Sequence, residues 1–188
     1  KNYLEALQII QNEASIIGAH EMNTKSANGV IAEDVFSNNL VPSFANSAMD
    51  GYCLKSEQTK NATLDNPVVL NINGTIFAGD EPPSIPKSLE TFEIMTGSKV
   101  PDDMDAVLPV EKGSVIEKDG CKFLVVNQPV IKGANVRKAG EDFQKDELIL
   151  SMGTQINDHH KIALIMNNYD KVKVFKNPSI GILTTGNE

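Results

Sequence analysis

From about Val41 to Val136 the chain runs as short apolar stretches separated by Gly, Pro, Asn and Asp. Such punctuation leaves little length for an amphipathic helix and predicts short strands joined by turns. Strands are expected at 68–72, 76–78, 91–95, 106–109, 114–116 and 122–126. Asn73-Gly74 and Asp119-Gly120 each sit between apolar runs, where tight hairpins need φ > 0. Many short strands with turns between them predict a small all-β unit, a barrel or a sandwich.

The flanks have a different period. Leu4, Leu7, Ile10, Ala14 and Ile17 recur at helical spacing, so residues 2–17 are expected to form an ordinary core-packing helix that stops at Gly18. Residues 30–36 fit either a short helix or an extended piece. A second helix is expected over 157–166, capped by Asn157 and left through Asn167-Asn168. Strands follow at 172–175 and 180–184. The latter is continuously apolar, as a buried parallel strand is. It is expected to open an α/β domain that continues past residue 188.

Charge and composition exclude several classes. Against 17 Lys and Arg stand 25 Asp and Glu, a net charge of −8. This balance repels phosphate backbones and argues against nucleic-acid binding. No apolar run approaches the roughly 20 residues of a membrane span. Two cysteines, Cys53 and Cys121, cannot form a disulfide framework or a Cys-based zinc site, and two free thiols are favoured over one bridge. His20, His159 and His160 lack the partners of a metal set and read as structural or surface residues.

Four stretches carry residues able to do chemistry. Residues 43–52 gather small and polar side chains around Asp50 and Gly51. Such a loop brings backbone N–H groups close to a ligand while Asp50 takes a proton or faces a metal. An ordinary Asp-Gly turn explains the same residues. Residues 94–101 lead a strand into Thr96-Gly97-Ser98-Lys99. The hydroxyl and the loop amides suit an oxyanion with Lys99 as counter-charge, or the stretch is a plain turn. Residues 137–142 set Arg137 and Lys138 beside Glu141 and Asp142, a substrate clamp or, favoured on the residues alone, a self-satisfied salt bridge. Residues 184–188 follow a predicted strand, where open α/β sheets bind ligands. There Gly186 permits close approach, and Glu188 offers a metal ligand or a base.

Five motifs in order carry a resemblance. They are NSAMDGY at 46–52, AGDEPP at 78–83, IMTGSKVPDDMDAVLPVE at 94–111, GANVRKAGED at 133–142 and ILTTGNE at 182–188. Together they resemble the molybdopterin molybdenumtransferases, the MoeA and gephyrin E-domain family. ALQII at 6–10 and IAEDVF at 31–36 fit that family's opening. The chain departs from the family pattern at Val30, Ala45, Cys53 and Asn187, where Arg, Asp, Ala and Asp are usual.

The resemblance implies a multi-domain α+β fold. An inserted all-β domain over 38–137 would stand on a discontinuous mixed α/β domain made of 18–37 and 138–168. Helix 1–17 would pack on a molybdopterin-binding-like α/β domain, of which 169–188 is the start. The implied activity is the last step of molybdenum cofactor biosynthesis in the cytoplasm. Molybdate is inserted into adenylylated molybdopterin and AMP is released, with Mg2+ or another divalent metal present. A homodimer and a partnership with the molybdopterin adenylyltransferase are implied as well. Matched position by position, the catalytic residues fall on Asp50, Thr96, Asp142 and Glu188. Asp50 and Glu188 would bind a metal or move a proton, Thr96 would hydrogen-bond substrate oxygens, and Asp142 would orient Arg137 or the pterin. The substrate-binding residues fall on Asn46, Ser47, Gly51, Gly97, Ser98, Arg137 and Gly186, and no metal ligand is assigned. The stretch 1–188 is expected to be inactive alone. A non-catalytic scaffold or partner-binding paralogue is the alternative.

Overall fold

The apolar runs of the middle segment become the strands of one sheet, and the flanks build separate, smaller sheets. The computed structural model describes residues 2–83 and 89–184. Along the chain lie α1 (Tyr3–Glu13), β1 (Ala19–Asn23), β2 (Val35–Phe36), β3 (Asn46–Ser47), β4 (Gly51–Leu54), β5 (Val68–Ile76) and β6 (Glu90–Ile94). There follow β7 (Ala106–Pro109), β8 (Ser114–Lys118), β9 (Cys121–Val126), β10 (Val136–Arg137), β11 (Leu148–Leu150), α2 (Asp158–Met166) and β12 (Lys171–Phe175). They divide into two compact units: Leu40–Gln144, and Lys1–Asn39 together with Lys145–Glu188. The seams expected at 37/38 and 137/138 thus fall at 39/40 and 144/145. The cause is local: the amides of Asp142 and Phe143 donate to the Val41 carbonyl at 2.8 and 3.1 Å, which ties residues 138–144 to the middle unit.

In the middle unit six strands run in the order β7-β4-β6-β5-β9-β8. The β5–β6 pair is parallel and the others are antiparallel. Asp119-Gly120 forms the expected hairpin between β8 and β9, with φ of 52° and 76°. Asn73-Gly74 does not turn the chain. Residues 68–76 are one strand whose register against β6 shifts between Ile72 and Thr75. Gly74, at φ 147°, absorbs a bulge there.

Of the six strands in this sheet, the one that sequence reading missed is β4, which lies second, between β6 and β7; the short β1, β3, β10 and β11 outside it were missed as well. All four residues of β4 are buried. Tyr52 and Leu54 pack with Leu70, Leu108 and Leu124 on one face. Cys53 packs with Phe92, Ile94 and Val107 on the other. Both faces are covered, so the usual polar–apolar alternation is missing. Burial pushes the Cys53 thiol up to about 12, while Cys121 is exposed; both thiols are free.

In the flanking unit β1 pairs with β12 and β2 with β11, both antiparallel. Residues 30–36 are therefore extended rather than helical. Ile31, Val35, Leu150, Ile156, Leu164, Val172 and Val174 form the core. Residues 172–175, expected to head a separate α/β domain, belong to this core because Val172 and Val174 are buried beneath the β1 pairing. Residues 180–184 form no strand, and among the described residues no strand pairs with them; Ile180, Ile182 and Leu183 are exposed.

Helix α1 starts at a capping box in which the Glu5 amide donates to Asn2 Oδ1 at 2.9 Å and the Asn2 amide donates to Glu5 Oε2 at 3.1 Å. It ends at Glu13, short of Gly18, and buries none of its residues. The core-packing role expected of it is not seen, because its apolar face meets no partner among the described residues. Helix α2 has its expected cap, with the His160 amide donating to Asn157 Oδ1 at 3.0 Å, and its expected exit, with Asn168 at φ 62°. Among the described residues no helix is long and apolar enough to cross a membrane.

Gly51 is where the sheet tolerates no side chain. A Cβ there would stand 2.2 Å from the Leu108 carbonyl oxygen, a backbone atom that no rotamer change can move. Gly51→Ala is expected to destabilise the chain by about 3 kcal/mol, the scale of core overpacking, read from the denaturation midpoint.

Candidate functional site

Three segments with chemistry-bearing residues meet at one end of the β4–β6 pair. Gly51 stands opposite Ile94 in the register, so the turn before β4 faces the loop after β6. The third segment is β10, which pairs with β3: Val136 opposite Ser47 and Arg137 opposite Asn46. The described candidates of the middle unit fall on these segments or directly after them.

Asp50 and Thr96 are joined directly. The Thr96 amide and its hydroxyl each donate to Asp50 Oδ1 at 2.7 Å. Both donors stabilise the ionised carboxyl, the backbone one more, and hold its pKa below the ordinary aspartate value. Asp50 is exposed, and its Oδ2 has no hydrogen bond among the described residues. A threonine hydroxyl has one proton to give. With that proton on Asp50, Thr96 Oγ1 can only accept. The pair therefore presents acceptors and a negative charge to solvent.

The neighbouring candidates shape this pair. Ser47 and Ser98 are buried, and their hydroxyls donate to the carbonyls of Met49 and Ile76. The Ser47 amide donates to the Ser98 carbonyl at 3.0 Å, and the Gly97 amide donates to the Ser47 carbonyl at 2.8 Å. Gly97, at φ 81°, makes the turn that aims Thr96 back at Asp50. Asn46 is buried, with its side-chain amide toward the Phe44 carbonyl. Sequence reading offered these residues for contact with a ligand; here they fix backbone.

Arg137 and Asp142 make an ion pair at 2.6 Å, with Glu141 at 3.5 Å from Arg137 Nε. This is the self-satisfied arrangement. Its members are partly exposed, so water and salt screen it and it adds little to stability. Lys99, proposed as a counter-charge, is taken by Glu81 at 2.9 Å. That pair borders a hollow of about 250 Å3, also lined by Pro82, Pro101, Asp102 and Asp103. Asp50 and Thr96 do not line it. Gly186 and Glu188 lie outside the described residues.

Among the described residues no group of three or more His, Cys, Asp or Glu side chains could hold a metal ion. Asp50 offers one carboxylate oxygen toward solvent, beside the hydroxyl oxygen of Thr96. Sequence reading also passed over Asn135. It adopts a left-handed φ of 54°, a region Asn tolerates; the residue type was the sequence's signal, and nothing there showed what its side chain would reach.

Comparison with known proteins defines the class. Residues 2–167 match the family described as the MoeA N-terminal region (domain I and II), and the chain belongs to that family. A molybdopterin molybdenumtransferase of Bacillus subtilis is 32% identical over 158 residues, covering 84% of this chain and 37% of the relative. Its counterpart in Staphylococcus aureus strain Mu50 is 30% identical over 185 residues, covering 98% and 43%. A solved structure of a molybdopterin biosynthesis MoeA protein from Pyrococcus horikoshii superposes with a TM-score of 0.81 at 31% identity, covering 93% of this chain and 44% of that one. This chain thus spans about two fifths of the length of the curated relatives it matches.

Thr96→Val removes one of the two donors on Asp50 and leaves the stronger backbone one. Carboxyl-carbon NMR is expected to show the Asp50 midpoint rising part of the way toward the ordinary aspartate value. A depressed carboxylate pKa adds stability above the unfolded-state value and loses it as pH falls through the folded value. The variant is expected to keep less of that acid-labile contribution.

Proposed function

We propose that this chain supplies part of the active site of a molybdopterin molybdenumtransferase, which inserts molybdate into adenylylated molybdopterin and releases AMP. The observation that carries the reading is the Asp50–Thr96 pair, formed by two of the family motifs at adjoining loop ends. Asp142 and Glu188 complete the proposed catalytic set, and Gly186 the substrate-binding set. The stretch 1–188 alone is expected to be inactive. The working protein is a cytoplasmic homodimer supplied by the molybdopterin adenylyltransferase.

Asp50 stays ionised at neutral pH, and its low pKa makes it a weak proton acceptor there. Its work is electrostatic. With Thr96 Oγ1 it offers acceptors to N–H donors, such as those of a pterin ring, and repels molybdate and phosphate oxygens. Those anions need positive charge from elsewhere, because Lys99 and Arg137 are already neutralised by Glu81, Glu141 and Asp142. Mg2+ or another divalent metal is part of the proposed reaction, but the described residues do not form its ligand set.

Asp50→Asn keeps the shape and removes the charge. In the longer protein, with metal supplied, molybdate-dependent AMP release is expected to fall by about 100-fold, the scale of one lost electrostatic group. Undiminished release would remove Asp50 from the mechanism.

A further inference from the structure

The turn carrying Asp50 hangs from four sets of backbone contacts, and one of them leads to a residue outside the candidate site. The Val110 amide donates to the Asp50 carbonyl at 3.1 Å, and Ser47 is bound to residues 97 and 98. The Met49 amide donates to Ser47 Oγ at 3.3 Å. The fourth contact runs from the Ala48 amide to the Asn135 carbonyl at 2.9 Å.

Asn135 is itself pinned at the other end. Its side-chain amide donates to the Val107 carbonyl at 2.8 Å, and the Val107 amide donates to the Ala134 carbonyl at 2.8 Å. Residues 134–135 therefore occupy the outer edge of β7, where a neighbouring strand would otherwise bind. Just beyond, Val136 and Arg137 pair with Ser47 and Asn46. The chain thus passes from the β7 edge to β3 within three residues. Asn135 is the hinge of that passage, in a left-handed conformation that Asn adopts more readily than most residues.

We propose that Asn135 is a positioning residue for Asp50. Its side chain locks its own carbonyl against β7, and that carbonyl sets Ala48 and with it the height of the Asp50 turn above Thr96. The two hydrogen bonds to Asp50 Oδ1 then form because the turn is held, and not the reverse. The claim that this positioning serves catalysis rests on the function proposed above; the claim about geometry does not.

The test is the Asp50 titration midpoint by carboxyl-carbon NMR, which reports its distance from Thr96. Asn135→Ala loses both the side-chain bond and the ease of left-handed backbone. Its Asp50 midpoint is expected to rise toward the ordinary aspartate value. Asn135→Gly keeps the backbone freedom and loses only the side-chain bond, so a smaller rise is expected. Val126→Ala opens the Tyr52–Leu54 side of the core and serves as a destabilised control whose Asp50 midpoint is expected to stay in place. An unmoved midpoint in both Asn135 variants would overturn the proposal, and so would an equal rise in the control. In the longer protein Asn135→Ala is expected to lower kcat about 10-fold with KM little changed. If Asp50→Asn is fully active, the functional reading fails alone, and the titration still decides the positioning claim.

Discussion

The pairing of Gly51 with Ile94 sets where Asp50 and Thr96 meet. It aligns the turn before β4 with the loop after β6, so Asp50 and Thr96, forty-six positions apart, come within one hydrogen bond. Gly51 is required for a second reason. On its other side β4 meets β7 so closely that the Leu108 carbonyl fills the space of a Cβ. One small residue thus permits three strands to converge, and the absence of a side chain at position 51 becomes a condition of the site.

The electrostatics follow from that geometry. Two donors on one oxygen hold Asp50 ionised and leave its other oxygen for a ligand. Two cations that the sequence offered against an anionic ligand are already engaged, Lys99 with Glu81 and Arg137 with Asp142. This part of the molecule is suited to receive donors. In the proposed reaction, molybdate and the adenylyl phosphate call for positive charge beyond that of Lys99 and Arg137.

Much of the sheet was legible because turn chemistry is local. Asp119-Gly120 turns the chain as its residue types require, and β7 and β9 follow from their apolar runs. Asn73-Gly74 has the same residue types and does not turn, because β6 and β9 hold β5 on both sides and the glycine relaxes into a bulge. Strand β4 was invisible for the opposite reason. Its motif looks like a ligand loop, and its burial on both faces removes the alternation that marks a half-exposed strand. The flank misled in a third way: β12 belongs with β1 through a pairing across some 150 residues, which no local pattern encodes. At the site, residue types identified Asp50 and Thr96 as candidates. Their union, and the burial of Ser47 and Ser98, came only from the register.

The proposed role of Asp50 and Thr96 depends on where the substrate meets these loops. The most direct measurement is a crystal structure of the longer protein with adenylylated molybdopterin bound. The account predicts a substrate N–H donor within about 2.7–3.2 Å of Asp50 Oδ2 or Thr96 Oγ1. A substrate seated away from both loops, with the Asp50–Thr96 pair facing only solvent, would contradict it.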